Sequence, residues 1–143
     1  MIKKEIYRII DANLNRSREG LRVCEEITRF VLNSRPLTQD LKSVRHSICK
    51  IMKCSVDTTG ALAASRDSDS DVLRCSRHST EMKRSGAADV FAANIERVKE
   101  SLRVLEEFFK LIDAGASLRF CGLRFKVYAI EKNALKQLKR KRL

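Results

Sequence analysis

The chain has no tryptophan, one proline, five glycines and only 6% aromatic residues in its 143 positions. So few turn-formers and bulky strand-formers argue against an all-β sandwich, which needs both at short intervals. No window holds the roughly 18 uninterrupted apolar residues of a membrane span. Lys3, Lys4, Glu5 and Arg8 also deny the first ten residues the apolar run of an export signal. A soluble, cytoplasmic protein is the expectation. The sequence lacks any Cys-x-x-Cys, and Cys75 and His78 have no second ligand pair at zinc-site spacing. Cys24, Cys49, Cys54, Cys75 and Cys121 therefore read as reduced thiols serving as small hydrophobes. Neither a Walker-type loop nor a Gly-x-Gly-x-x-Gly is present, so any nucleotide has to be held by arginines, asparagines and helix ends.

What the chain does carry is positive charge and an internal repeat. Thirty Lys and Arg against 18 Asp and Glu give a formal net charge of +12, which predicts an anionic partner: a phosphorylated small molecule, nucleic acid or a membrane surface. Part of this charge is a basic C-terminal tail, Lys136, Lys139, Arg140, Lys141 and Arg142, which reads as a solvated helix end or a disordered tip. Residues 12–26, ANLNRSREGLRVCEE, realign without gaps with residues 93–107, ANIERVKESLRVLEE, at an offset of 81, with nine identities in fifteen positions. Two copies so far apart do not make a solenoid, whose units are shorter and more numerous.

Each copy opens a helix. Ile6, Ile9, Ile10, Leu14, Leu21, Cys24, Ile27, Phe30 and Val31 recur at three- and four-residue steps. So do Val90, Phe91, Ile95, Val98, Leu102, Leu105, Phe108, Phe109 and Ile112. Pro36 stops the first helix, with Thr38 capping the next and Leu41, Val44, Ile48 and Ile51 forming its apolar stripe. The third stops at Asp113-Ala114-Gly115, where Gly115 can take a left-handed cap, and Leu118, Leu123, Phe125, Val127 and Ile130 pattern a fourth. Val44-Arg45-His46 echoes Leu123-Arg124-Phe125, so the repeating unit is a helical hairpin. The expected fold is all-α, a single domain over residues 1–143 built as a pseudo-two-fold four-helix bundle. Hairpin one covers about 4–54, a polar connecting loop about 55–86 and hairpin two about 87–140.

The apolar stripes are interrupted at matching places, by Asn13, Arg16 and Gly20 in the first copy and Asn94, Arg97 and Ser101 in the second. Beside them lie Glu19, Arg22 and Glu26, and equivalently Glu100, Arg103 and Glu107. A buried arginine without a partner costs several kcal/mol, so these positions imply either internal ion pairs or an anionic ligand held where the two copies face each other. In the connection, Arg66-Asp67-Ser68-Asp69-Ser70-Asp71 resembles the start of a calcium loop. Val72 at its sixth position and His78 at its twelfth exclude that reading. Its carboxylates can hold Mg²⁺ beside substrate phosphate, or be a solvated loop.

The runs IYRIIDANLNRSREGLRVCEEITRFVL, LTQDLKSVRH, RDSDSDV and ANIERVKESLRVLEEFFK resemble the small alternative hydroxymethylpyrimidine-phosphate kinase family of thiamine biosynthesis, from about Ile6 to Lys132. Its members occur alone or fused ahead of thiamine-phosphate synthase. The resemblance implies transfer of the ATP γ-phosphoryl group to 4-amino-5-hydroxymethyl-2-methylpyrimidine phosphate. Its pattern is met at Asp11, Asn13, Arg16, Glu19, Arg22, Glu26, Arg45, His46, Arg66, Asp67, Asp71, Asn94, Arg97, Glu100, Arg103 and Glu107, and departs at Leu73, where glycine is usual.

Phosphoryl transfer asks a protein mainly for alignment and charge neutralisation. On that basis Arg16, Arg22, Arg97 and Arg103 are expected on phosphate oxygens, with Arg45 or Arg66 completing the clamp, since guanidinium groups bind phosphates bidentately. Asp67 and Asp71 are the candidates for Mg²⁺, and Asn13 and Asn94 for the pyrimidine edge or phosphate oxygens. Glu19, Glu26, Glu100 and Glu107 would orient the arginines, and His46 can act as a base or phosphate ligand or be structural. ATP and Mg²⁺ are the cofactors implied. Two other readings stand beside this one. In a nucleic-acid-binding bundle the duplicated acidic residues would repel a phosphate backbone; a non-catalytic partner of thiamine-phosphate synthase would leave the paired polar interruptions unexplained.

Overall fold

The computed structural model describes residues 2–56, 60–76 and 82–141, and His78 lies outside them. It is all-helical: α1 (Ile2–Phe30), α2 (Arg35–Ser55), α3 (Ala61–Ser65), α4 (Ala87–Phe109) and α5 (Ala114–Arg140). No strand occurs among the described residues.

The ends of the helices follow the repeat, but the caps differ from the sequence expectation. α1 ends at Phe30, with Asn33 in the left-handed region at φ 50. Ser34 is the cap of α2, its hydroxyl accepting from the Leu37 N–H at 3.3 Å, and Pro36 lies in the first turn. Proline there starts α2, because its missing N–H is one the first turn leaves unbonded anyway. Thr38 instead donates its hydroxyl to the Ser34 carbonyl at 2.7 Å and shares a 2.8 Å hydrogen bond with Thr28. Asp113 caps α5 from the matching position, accepting from the Ala116 N–H at 3.2 Å. Gly115 is thus helical, not a left-handed cap; Gly60, at φ 107, takes that conformation instead.

Cys24 Sγ lies 3.8 Å from the Phe91 carbonyl, and Gly20 lies against Asn94 and Val98, so α1 and α4 run antiparallel. Arg119 on α5 reaches Ser55 at the end of α2, and Lys141 reaches the Val31 carbonyl beyond the end of α1. Taking α1 as up, α2 and α4 run down and α5 up. The chain must therefore climb back along the bundle between α2 and α4, over about 30 Å for a 21-residue helix at 1.5 Å per residue. That climb is why the connection is long. Its lower part, including α3, packs on α1.

The core is a stack of aliphatic side chains around Phe91, Phe109 and Phe120, all fully buried, with the Phe109 and Phe120 rings 5.0 Å apart. Burial of each such side chain contributes about 1.5–3 kcal/mol. Leu41, Val44, Ile48 and Ile51 are buried as their spacing predicts. Leu118 and Phe125 are not: they are 74% and 60% exposed, because the inward face of α5 runs through Ala116, Phe120, Leu123, Val127, Ile130, Ala134 and Leu138. Seven residues apart, Leu118 and Phe125 share the opposite face. Phe30 is likewise exposed.

At Gly20 α1 and α4 are in close approach: a Cβ there would stand 2.7 Å from Val98 Cγ2 and 3.0 Å from the Asn94 carbonyl oxygen. Gly20→Ala should gain about 1 kcal/mol of helix propensity and lose more to overpacking, about 1–3 kcal/mol. The expected result is a lower urea midpoint with an unchanged denaturant slope; a raised midpoint would show that the two helices separate freely.

Candidate functional site

Along α1, Arg8, Asp11, Asn15, Glu19, Arg22, Glu26 and Arg29 recur at steps of three and four and form one polar stripe away from the core. Over its first half lies a cavity of about 480 Å³ roofed by the crossover and lined by Arg8, Asp11, Ala12, Asn15, Arg16, Glu19, Arg66, Asp67, Ser68 and Asp71. Asp11, almost buried, takes a bidentate grip from Arg66, with Nε and Nη2 each 2.8 Å from a carboxylate oxygen. Those hydrogen bonds raise the Arg66 guanidinium further above its ordinary range. Arg8 reaches the Asp67 carbonyl at 3.4 Å, so two arginine contacts pin the acidic loop onto α1.

Within that loop Asp67 accepts from the Ser70 N–H at 3.2 Å, and Asp71 from the Leu73 N–H at 3.1 Å. Leu73 needs no left-handed backbone and its side chain is exposed, so leucine is accommodated where glycine is usual.

The second half of the stripe borders a cavity of about 430 Å³ between the end of α1 and the start of α2. Glu25 is buried there and clamped by Arg45, at 2.7 Å to Nε and 3.1 Å to Nη2, with Arg22 3.8 Å away. The hydrogen bond to Glu25 raises the Arg45 guanidinium. The second copy repeats the motif more loosely. Glu106 is buried between Arg103 and Arg124, with Arg124 3.4 Å away. Among the described residues Arg124 Nε has no hydrogen-bond partner, and its guanidinium lies over the Phe125 and Tyr128 rings. A third cavity, about 410 Å³, opens among Glu96, Lys99, Glu100, Arg103, Arg124 and Tyr128.

The candidate residues are therefore divided. Arg16, Glu19, Arg66, Asp67 and Asp71 line the first cavity, Arg22, Glu26 and Arg45 the second, and Glu100 and Arg103 the third. Asn13 and Asn94 donate to the Ile9 and Val90 carbonyls of their own helices, at 2.8 Å each. Arg97 and His46 are exposed and line none of the three, while Glu107 pairs with Arg103 and Lys110 on the surface. Among the described residues, the polar side chains buried where the copies face each other bond within their own helices and form no cluster. The approach at Gly20 leaves no room for one, and the buried Ser17 and Ser101 hydroxyls bond within their own helices.

Of each Glu-Glu pair, Glu25 and Glu106 are the buried carboxylates that meet the second helix of the hairpin, while Glu26 lines the second cavity and Glu107 pairs with Arg103 at the surface. The usable signal was the recurrence of Arg45 as Arg124 in the second helix of each hairpin. Cys24 is no nucleophile, since burial pushes its thiol up to about 12.

Burial works against ionised Glu106, but hydrogen bonds from Cys121 and Arg103 and the charge of Arg124 hold its carboxyl below the ordinary glutamate value of 4.5. A depressed folded-state value means the unfolded chain binds the proton more readily. The stabilisation is thus complete above the unfolded value and is lost as pH falls through the folded one. Glu106→Gln should flatten the loss of thermal stability below pH 4.5, measured as Tm against pH. A parallel downward shift at every pH would contradict this.

The profile of the ThiD2 family matches residues 8–133. The chain is 38% identical over 134 residues to a thiamine-phosphate synthase of Nostoc punctiforme, covering 94% of this chain and 36% of that protein. It is 41% identical over 130 residues to that of a Synechocystis species, covering 91% and 36%. For Rhodopirellula baltica the identity is 36% over 126 residues, covering 88% and 33%. The chain thus spans about a third of the length of these relatives. No solved structure matches it. With the family profile matched over residues 8–133, the chain belongs to the ThiD2 family.

Proposed function

We propose that the protein acts in thiamine biosynthesis as a kinase, transferring the γ-phosphoryl group of ATP to hydroxymethylpyrimidine phosphate to give the diphosphate. The observation that carries this reading is the first cavity, where Arg8, Arg16 and Arg66 meet Asp11, Glu19, Asp67 and Asp71. Four carboxylates against three arginines leave it short of positive charge, a poor site for a free phosphate and a suitable one for a metal-bound nucleotide.

Among the described residues no three His, Cys, Asp or Glu side chains converge as a closed metal cage. That fits Mg²⁺, which is commonly held by one or two carboxylates while water and substrate phosphates fill the rest of its shell. Asp67 and Asp71 would hold it. When bound, it neutralises phosphate charge and favours the leaving diphosphate oxygen. Arg16 and Arg66 supply the guanidinium donors for the transferred group, and Asp11 keeps Arg66 in position. Because the acceptor is a phosphate already ionised at neutral pH, the site needs no general base. Its work is alignment and charge neutralisation.

The test is ADP release with Mg-ATP, comparing hydroxymethylpyrimidine phosphate with the unphosphorylated alcohol. Turnover with the phosphate is the expected result. No ADP above background with either acceptor would reject the reading.

A further inference from the structure

The second cavity is charged in the opposite sense to the first. Arg22, Arg29, Arg35, Lys42 and Arg45 surround only Glu25 and Glu26. Glu25 is already held by Arg45, and neither Arg35 nor Lys42 has an ion partner among the described residues. Crowding like charges in one cavity is unfavourable unless an anion enters it. The first turn of α2 also borders the space, but Pro36 brings no N–H and Ser34 takes that of Leu37, so only the Arg35 N–H is left over there.

The duplication separates what the hairpin needs from what the cavity adds. Helices α2 and α5 begin at Arg35 and Ala114, an offset of 79. The second copy retains the buried pair as Glu106 and Arg124. At the positions of Arg35, Gln39 and Lys42, however, it has Ala114, Leu118 and Cys121. A hairpin of this design therefore folds without the two extra cations, and their presence in the first copy calls for a role other than holding it together.

We propose that the cavity between α1 and α2 is a binding site for a phosphate monoester or diphosphate of a small molecule, with Arg35 and Lys42 as its specific contacts. Resting on the kinase reading above, it takes the phosphate end of the acceptor. The centre of the first cavity, near residue 12, and that of the second, near residue 25, are about 20 Å apart along α1 at 1.5 Å per residue. Their nearest lining residues on α1, Glu19 and Arg22, are about one turn apart, and that is where the ends of an extended nucleotide and an acceptor would come together.

The experiment is calorimetric titration of the full chain with inorganic diphosphate, without ATP or Mg²⁺, at about 0.15 M salt so that diffuse attraction to a +12 protein is screened. The double variant Arg35→Gln/Lys42→Gln is compared with Lys136→Gln/Lys139→Gln, which removes the same charge from the tail. Circular dichroism checks that both melt as the wild type does. Affinity should fall at least about tenfold in the first, equivalent to about 1.4 kcal/mol, and stay within about twofold in the second. Equal losses in both, or none in the first, would overturn the site. In the kinase assay the first variant should raise KM for the pyrimidine phosphate far more than it lowers kcat; an unchanged KM would overturn the acceptor assignment. Should the wild type release no ADP while its diphosphate binding still depends on Arg35 and Lys42, the kinase reading fails and the anion site stands.

Discussion

Replacing Arg66 with alanine is expected to lower kcat/KM for phosphorylation of hydroxymethylpyrimidine phosphate by about a hundredfold or more, and to lower the thermal midpoint by less than the loss of Arg45 does. The loss of stability comes from Asp11, which is almost buried and loses its two-pronged partner, and it is softened because Arg66 itself is half exposed. In the proposed site the same guanidinium serves two purposes. It pins the acidic loop over α1, and it is one of the donors aimed at transferring phosphoryl oxygens. Removing a preorganised donor of that kind typically costs about 10²–10³ in rate. Arg66→Lys should recover only part of the loss, because an ammonium cannot reproduce the two-pronged grip on Asp11. Steady-state kinetics of both variants, with urea unfolding alongside, check this. Wild-type kinetics in Arg66→Ala would place the reaction elsewhere on the molecule.

The largest effect on stability is expected at Arg45. Arg45→Met leaves Glu25 buried, 5% exposed, with its two-pronged partner gone and only Arg22 nearby at 3.8 Å. Breaking a buried pair from one side costs about 3–5 kcal/mol. The Arg45 side chain retains 21% of its exposure, so water softens the penalty to about 2–3 kcal/mol. Arg124→Met should cost less, because Arg124 holds Glu106 at 3.4 Å and Arg103 remains bonded to the carboxylate. Restoring an uncharged core with Glu25→Gln in the Arg45→Met background should return part of the loss. A double-mutant cycle in urea gives the coupling directly, and a coupling near zero would mean that water, not Arg45, satisfies Glu25.

The helices were readable because periodicity and duplication carry the same information twice: a core-facing position in α1 predicts one in α4 through the offset of 81. The caps were less so. Ser34, Thr38 and Asp113 are all competent capping residues, and which one caps depends on where the chain turns, set here by Asn33 at φ 50 and by packing of Thr38 on Thr28. Leu118 and Phe125 show the weakness of a short apolar pattern, since α5 has two candidate faces and burial chose the one carrying smaller residues at Ala116 and Ala134.

For the candidate site, residue types and repeat positions could be read, but not their grouping. Arg16 and Arg22 lie six residues apart on one helix and line different cavities; Asp11 and Arg66 lie 55 apart and share one carboxylate. Sequence alone determined the all-helical class, the paired hairpins and the net charge of +12, because these follow from local periodicity, self-similarity and composition. Only the tertiary structure decided that α4 runs down beside α1, so that the connection must climb back along the bundle and lay Arg66, Asp67 and Asp71 over the stripe on α1. Antiparallel packing of two copies through a close contact at Gly20 is a long-range geometric choice. It closed the expected central site and moved the polar residues to the flanks.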